Sequence, residues 1–198
     1  ASVGEANAVL PVIDAIAAEH PEICLLLTTG TVTSAKLARA RLPKGAVHQY
    51  VPLDNQVYVR RFLEHWHPDL AVFVESEIWP NLVLETNALN IPLVLVNGRM
   101  SFRSFRRWRN RPGLSRPLFS AFGLVLAQNE RFAQRFTALG AALAVPVGNL
   151  KIDAPPPPVD LAGHKKLSAA LAGRSVWLAA STHPGEDDIA AVAHLAMK

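Results

Sequence analysis

Apolar residues along the chain fall either in short continuous runs or in stripes that recur every three or four positions. The runs are typical of buried strands, and the stripes are typical of amphipathic helices. The pattern predicts a helix that begins near Glu5, followed by strands and helices in alternation. The predicted strands are 22–28, 47–50, 70–74, 92–97, 124–127 and 175–180, and the predicted helices are 34–42, 57–66, 81–89, 130–139, 161–171 and one from Pro184 onward. This alternation is typical of an α/β fold with a mainly parallel sheet wound on both faces.

Two segments interrupt the alternation. Segment 98–117 is predicted to form irregular turns around Pro112 and Gly113, with a short helix before Ala121. The four prolines at 155–158 form a stiff, extended spacer, which is the best domain boundary in the chain. We therefore predict a first domain at 1–153, a proline-rich linker at 154–159 and the start of a second domain at 160–198. A turn of small residues that enters a helix normally follows a strand, so we expect the natural protein to begin upstream of residue 1.

The apolar run at 71–74 leads into a sequence that contains two acids, Glu75 and Glu77. The run is predicted to be a strand covered on both faces, and Pro80 suits the first position of the next helix. Residues two apart on a strand point the same way, which would direct both carboxylates toward the crevice where open α/β sheets bind ligands. The alternative is one capping carboxylate and one solvated carboxylate.

Composition narrows the functional classes. Half of the 198 residues are hydrophobic, yet no apolar run approaches the length of a membrane span, and no signal peptide opens the chain. The single cysteine, Cys24, cannot form an internal disulfide and is interpreted as a core residue of a protein from a reducing compartment.

The net charge of +4 is unevenly distributed. Segment 99–116 contains seven arginines and no acid, so the rest of the chain is net negative. Phe102, Phe105 and Trp108 are interleaved with these arginines. Such a segment suits phosphorylated lipid at an anionic membrane surface, or nucleic acid, and the alternative is a solvated basic face.

Other candidate residues lie at predicted strand ends. Glu5, in the first turn of a helix, is a candidate proton acceptor as well as an ordinary helix-start residue. Thr29 and Thr31 are candidates for binding sugar hydroxyls, although capping explains them equally well. Lys151 is a candidate partner for a phosphate leaving group, and the alternative is a surface lysine.

In the second domain, the segment Ser181-Thr182-His183 follows a predicted strand and enters a helix, which suits phosphate binding or simple capping. No second His, Cys or carboxylate lies near His183 at the sequence spacing typical of metal ligands, so we predict no metal. A Walker motif and GxGxxG are both absent.

Eight segments, in order, resemble the successive motifs of the bacterial 3-deoxy-D-manno-octulosonic acid (Kdo) transferases. They are SVGE at 2–5, TTGTVTS at 28–34, YVPLD at 50–54, ESEIWPN at 75–81, GRMS at 98–101, AQNE at 127–130, GNLK at 148–151 and STHPGE at 181–186. The resemblance implies the GT-B fold, with two Rossmann-like domains facing across a cleft. The chain would hold the acceptor-binding N-terminal domain and the truncated start of the donor domain.

The family is expected to move Kdo from CMP-Kdo onto a lipid A precursor, with inversion and without a metal or other cofactor. By resemblance, Glu5 is the general base, and Glu75, Glu77 and Lys151 stabilise the transition state. The predicted substrate-binding residues are Ser2, Thr29, Thr31, Asn81, Arg99, Arg103, Ser181, Thr182 and His183. The expected location is the cytoplasmic face of the bacterial inner membrane, with lipid A and the anionic bilayer as partners, no nucleic acid, and a membrane anchor outside this chain.

One residue departs from the family pattern. Phe102 stands where the family commonly has an acid, which makes the arginine segment more basic and more apolar. Because the later CMP-binding motifs are absent, the fragment is expected to be inactive alone. The competing hypotheses are a non-catalytic module that binds membrane or RNA through the 99–116 segment, and another GT-B enzyme acting on a nucleotide sugar.

Overall fold

A computed structural model of the chain describes residues 3–152 and 159–197. The chain forms two compact units, Ala1–Pro155 and Pro156–Lys198. The linker predicted at 154–159 lies almost wholly outside the described residues, and so does Ser2. The predicted domain boundaries therefore stay predictions.

The first part of unit 1 alternates helices and strands as the apolar pattern predicts. Its elements are α1 (Val3–Glu19), β1 (Leu26–Thr29), α2 (Val32–Arg41), β2 (Val47–Tyr50) and α3 (Gln56–Trp66). Side-chain caps set the starts of two helices, because Thr31 accepts from the Ser34 amide and Asn55 accepts from the Val57 amide.

The second part of unit 1 continues the alternation with more strands. Its elements are β3 (Ala71–Val74), α4 (Pro80–Ala88), β4 (Leu93–Gly98), α5 (Phe102–Arg109), α6 (Pro112–Ser120), β5 (Leu124–Ala127), α7 (Glu130–Leu139), β6 (Ala144–Pro146) and a 3-10 turn (Leu150–Ile152). Asn129 caps the start of α7, and Gly140 ends it with a left-handed backbone.

The strands form parallel sheets, as the alternation predicts. β1 pairs with β2, and the order of the larger sheet is β3-β4-β5-β6. All the ladders are parallel, so the carboxyl ends of the four strands of the larger sheet meet at one edge. The residues that follow these ends are therefore brought together.

The main core packs against the larger sheet. Its largest fully buried side chains are Phe119, Phe122 and Phe136, and the ring of Phe73 meets that of Phe122 edge-on at 5.5 Å. Fully burying each such ring contributes roughly 1.5–3 kcal/mol relative to leaving it exposed. A rigid core under this sheet fixes the positions of the strand ends.

The structure corrects several sequence predictions in unit 1, among them the start of β1, which begins at Leu26 rather than at 22. Strand β3 is not covered on both faces, because Val72 is 49% exposed. Cys24 is exposed rather than in the core, since it lies in the loop before β1. Segment 98–117 is more regular than predicted, because α5 and α6 occupy most of it.

Unit 2 contains helices α8 (Leu161–Leu171) and α9 (Glu186–Ala196). The strand predicted at 175–180 is wrong, because those residues form no ladder. A strand needs a hydrogen-bonded neighbour, and the described part of unit 2 contains no other strand. Neither α8 nor α9 contains a buried residue.

No helix within the described ranges is both long enough and apolar enough to cross a membrane.

Candidate active site at the carboxyl ends of the parallel strands

Residues at or just after the carboxyl ends of all four strands of the larger sheet meet in one polar network. Glu75 follows β3, Asn97 lies at the end of β4, Gln128 follows β5, and Lys151 lies in the 3-10 turn after β6. Parallel topology places these ends on one edge of the sheet, which is where open α/β sheets bind their ligands.

Glu75 is the buried centre of this network. It is 3% exposed, and its backbone is left-handed with φ of 55°. Its Oε1 lies 2.7 Å from Nζ of Lys151, and its Oε2 lies 3.9 Å from a guanidinium nitrogen of Arg99. A buried carboxylate is costly unless it is paired, and the two cations provide that pairing.

Asn97 and Gln128 complete the network. The Asn97 amide donates to Oε1 of Glu75 at 3.3 Å and accepts from the backbone N–H of Leu150 at 3.2 Å. Gln128 donates its side-chain amide to the Asn97 carbonyl at 3.3 Å. Neither residue has a role predicted from the sequence. The signal that identifies Asn97 is a polar residue at the end of an otherwise apolar strand.

The network presents positive charge to solvent. The side chains of Lys151 and Arg99 are 41% and 53% exposed, whereas that of Glu75 is 5% exposed. With all three groups ionised, the rim of the site is cationic over a buried anion. Such a rim suits a phosphate or carboxylate group of a ligand.

Glu77 lies in a different environment from Glu75. The chain leaves the strand at Val74, and a turn follows in which the Glu77 amide donates to the Val74 carbonyl at 3.1 Å. Glu77 is partly exposed and accepts from the indole N–H of Trp79 at 2.9 Å. The strand alternation predicted for 75 and 77 is therefore wrong, because β3 ends at Val74 and the left-handed residue at 75 turns the chain.

Glu5 lies in the first turn of α1 and is partly buried. Helix α1 contacts the 3-10 turn that carries Lys151, so the structure brings the helix of Glu5 next to the network.

The two predicted sugar-binding threonines lie near the end of β1. Thr29 is fully buried, and its hydroxyl lies 2.9 Å from Nε2 of His48 on β2. Burial, and secondarily the positive charge of Arg39, hold the pKa of His48 below its ordinary value of 6.5. Thr31 is exposed and caps α2. Their predicted contacts with sugar stay predictions.

Asn81 fastens the start of α4 to the loop before α3. Its side-chain amide donates to the Asp54 carbonyl at 2.8 Å, and the Asp54 carboxylate accepts from the Leu82 amide at 2.9 Å. The carboxylate therefore caps α4, whose N-cap residue Trp79 makes no side-chain cap bond. A substrate-binding role for Asn81 stays a prediction.

The arginine-rich helix α5 lies directly after the network. Phe105 and Trp108 pack against the core, whereas Phe102 is 65% exposed. The arginines of α5, including Arg103, are exposed. An open pocket of about 210 Å³ separates the helix from the β3 turn, and its lining includes Ser76, Arg99, Ser101 and Trp108.

The remaining predicted residues lie in unit 2. Ser181, Thr182 and His183 are exposed, and Ser181 has a left-handed backbone with φ of 58°. The His183 amide donates to the Glu186 carboxylate at 2.8 Å, which satisfies an amide at the start of α9. Phosphate binding by this segment stays a prediction.

Among the residues that the structure describes, no group of three or more His, Cys, Asp or Glu side chains is placed to hold a metal ion.

A family model described as 3-deoxy-D-manno-octulosonic-acid transferase (kdotransferase) matches residues 1–154. The chain belongs to the Kdo transferase family. The family expected from the eight motifs is therefore confirmed. The network of Glu75, Asn97 and Lys151 lies wholly within the matched region.

Similar proteins cover nearly the whole chain. It is 41% identical over 189 residues to the 3-deoxy-D-manno-octulosonic acid transferase of Rickettsia felis, a match that spans 96% of this chain and 40% of that protein. It is 32% identical over 201 residues to the enzyme of the same name from Haemophilus influenzae, covering all of this chain and 47% of that protein. A probable mitochondrial Kdo transferase of Arabidopsis thaliana is 34% identical over 206 residues, a match that spans 95% of this chain and 44% of that protein. The chain thus spans less than half the length of these Kdo transferases.

A solved structure supports the fold. The crystal structure of UDP-GlcNAc 2-epimerase from Neisseria meningitidis bound to UDP-GlcNAc matches with a TM-score of 0.55 and 14% identity, over 77% of this chain and 46% of that one. The expected α/β fold with parallel, Rossmann-like sheets of the GT-B type is confirmed at this level.

Proposed function

We propose that the full-length protein is an inverting glycosyltransferase that moves Kdo from CMP-Kdo to a lipid A precursor in lipopolysaccharide biosynthesis. Membership of the Kdo transferase family carries this proposal. The geometry supports it, because a buried glutamate holds a lysine and an arginine at the ligand-binding edge of the sheet. CMP-Kdo carries both a phosphate and a carboxylate, which match a cationic rim.

In the proposed reaction, a hydroxyl oxygen of the acceptor attacks the anomeric carbon of Kdo while the bond from that carbon to the CMP phosphate breaks. Glu5 accepts the hydroxyl proton, and CMP leaves with the bonding electrons. Lys151 stabilises the charge that develops on the phosphate, and Glu75 holds Lys151 in place. Glu77 is proposed to oppose the positive charge that develops on the sugar ring. The proposed reaction uses no metal and no other cofactor.

The arginine-rich segment is proposed to face the acceptor. Arg99 contacts Glu75 in the network, and Arg103 lies on α5. Both would bind lipid A phosphates, while the rest of α5 would face the anionic surface of the inner membrane on its cytoplasmic side. Phe102 is exposed on the same helix and would enter the lipid interface. These contacts call for no nucleic acid partner.

The remaining substrate contacts belong to the same proposal. In the first unit, Ser2, Thr29, Thr31 and Asn81 would contact the sugars. In the second unit, the helix-entry segment would bind the donor phosphate through Ser181, Thr182 and His183.

The proposal is tested with the purified full-length protein, CMP-Kdo and a lipid A precursor, with the product identified by mass spectrometry. The wild type should form a Kdo-bearing lipid. Glu5→Gln should lower kcat by roughly 10²- to 10⁴-fold, because removing a general base has an effect of that size. Asp14→Asn, at an exposed position on the same helix, should leave kcat unchanged.

Absence of transfer by the wild type would refute the proposed function. Retained transfer by Glu5→Gln would refute only the assignment of the base.

A further inference from the structure

Asn97 has an unusual backbone at the end of β4. It is 1% exposed and left-handed, with φ of 52°. The register between β4 and β5 shifts between Leu95 and Gly98, so β4 carries one more residue than β5 over this stretch. Such bulges redirect a side chain, and asparagine tolerates the left-handed conformation better than most residues.

The redirected side chain connects two parts of the network. Its amide nitrogen donates to Oε1 of Glu75, the same oxygen that lies 2.7 Å from Nζ of Lys151. Its amide oxygen accepts from the backbone N–H of Leu150, the residue before Lys151. Asn97 thus contacts the carboxylate of Glu75 on one side of the ion pair and, on the other side, the backbone of Leu150 next to Lys151.

The position of Asn97 is itself held on two sides. Gln128, after β5, donates to its backbone carbonyl, and the core lies directly below β4. A lysine side chain has a long, flexible stem and does not hold one position by itself. The buried amide of Asn97 contacts both the carboxylate that pairs with Lys151 and the backbone next to Lys151, so it removes much of the freedom of the lysine side chain.

We propose that Asn97 is a positioning residue that sets the geometry of the Glu75–Lys151 pair, and so the place where Lys151 meets the leaving phosphate. This inference rests on the proposed function. It assigns Asn97 no contact with substrate, and it predicts an effect on the chemical step rather than on substrate binding.

Two variants of the full-length protein test the proposal. Asn97→Gly keeps the left-handed backbone without strain and removes both side-chain bonds. Asn97→Asp keeps an acceptor for the Leu150 amide but places a carboxylate against Glu75. Both should lower kcat about 10- to 100-fold while KM for CMP-Kdo changes less than about twofold, as expected for a misplaced catalytic group.

The pH dependence separates positioning from a general loss of structure. The charged groups that face residue 97 are Glu75, Lys151 and, through Glu75, Arg99. Two adjacent carboxyl groups can share one proton. In Asn97→Asp, a protonated carboxyl group at position 97 then donates to Glu75 as asparagine does, so the kcat ratio of this variant to wild type should rise as pH falls. The corresponding ratio for Asn97→Gly should not change with pH.

Asn90 provides a matched control. It is also left-handed, with φ of 58°, but it is exposed and lies in the loop between α4 and β4, at the opposite end of that strand. Asn90→Gly and Asn90→Asp should leave kcat and its pH profile unchanged.

An unchanged kcat in both Asn97 variants would overturn the inference, as would a rise in KM at constant kcat. A ratio of Asn97→Asp kcat to wild-type kcat that does not change with pH would also overturn the inference. These results require an active wild type, so they are distinct from failure of the proposed function, which the wild type alone reports.

Discussion

At the scale of single residues, Glu75 and Glu77 show how backbone conformation divides two similar side chains. Glu75 is buried and faces two cations, whereas Glu77 is partly exposed and accepts from Trp79. The expectation that both carboxylates point to one side assumed an extended chain. A positive φ at a residue other than glycine is uncommon, and nothing in the local sequence signals it.

The two acids should therefore differ in their contribution to stability. Glu75→Gln removes the charge that pairs with Lys151 and Arg99 inside the protein, and it should lower the free energy of unfolding by about 1–3 kcal/mol. Glu77→Gln keeps an acceptor for Trp79 at a partly exposed position, and it should change that free energy by about 0.5 kcal/mol or less. Urea unfolding of the full-length variants, followed by tryptophan fluorescence, measures both values. Equal effects would contradict the structural division between the two acids.

At the scale of elements, the sequence predicts a helix correctly where capping residues mark both of its ends. Helix α7 runs from Glu130 to Leu139 as predicted, because Asn129 caps its start and Gly140 ends it. Helix α5 was not predicted as a helix, since its four arginines obscure the apolar positions 105 and 108 that face the core. The three-residue strand β6 was missed because it is too short to show a pattern.

The stability that the β1–β2 pair contributes should depend on pH through His48, which lies on β2. Its pKa is lowered in the fold, so the unfolded chain binds a proton first as pH falls below about 6.5. The contribution of neutral His48 to stability is therefore present above that pH. It decreases as pH falls from there toward the pKa of the folded state.

Replacing His48 by glutamine, which does not titrate, removes the contribution of this position to the pH dependence of stability. His48→Gln should show a smaller loss of stability than wild type between about pH 7 and pH 5. Thermal unfolding across that range is the measurement, with His65→Gln, exposed on α3, as the control. A wild type and a His48→Gln variant with parallel pH profiles would contradict the prediction.

At the scale of the whole molecule, positive charge is concentrated beside the candidate site. Segment 99–116 carries seven arginines while the rest of the chain is net negative. The sequence alone predicts this asymmetry and the alternation of strands and helices. It does not predict that the basic segment forms a helix directly after the Glu75 network, because that arrangement depends on the parallel topology and on the bulge in β4.

If α5 docks on an anionic bilayer, reversing its charge should weaken binding. Arg106 and Arg107 are exposed on α5. Each basic side chain near such a surface contributes about 1 kcal/mol, so Arg106→Glu with Arg107→Glu should reduce binding to phosphatidylglycerol vesicles by at least about 10-fold. Added salt should reduce the difference between variant and wild type, because it screens exposed charges.

The measurement is co-sedimentation of the 198-residue chain with vesicles, after circular dichroism has verified that each variant is folded. Lys165→Glu with Lys166→Glu makes the same charge change on the exposed helix α8 and serves as the matched control. The control should bind like wild type, because net charge alone is not the proposed cause. Equal losses in both double variants would indicate that overall charge attracts the vesicles, whereas no loss in either would leave α5 as a solvated basic face. Only a loss specific to α5 supports a membrane surface next to the site.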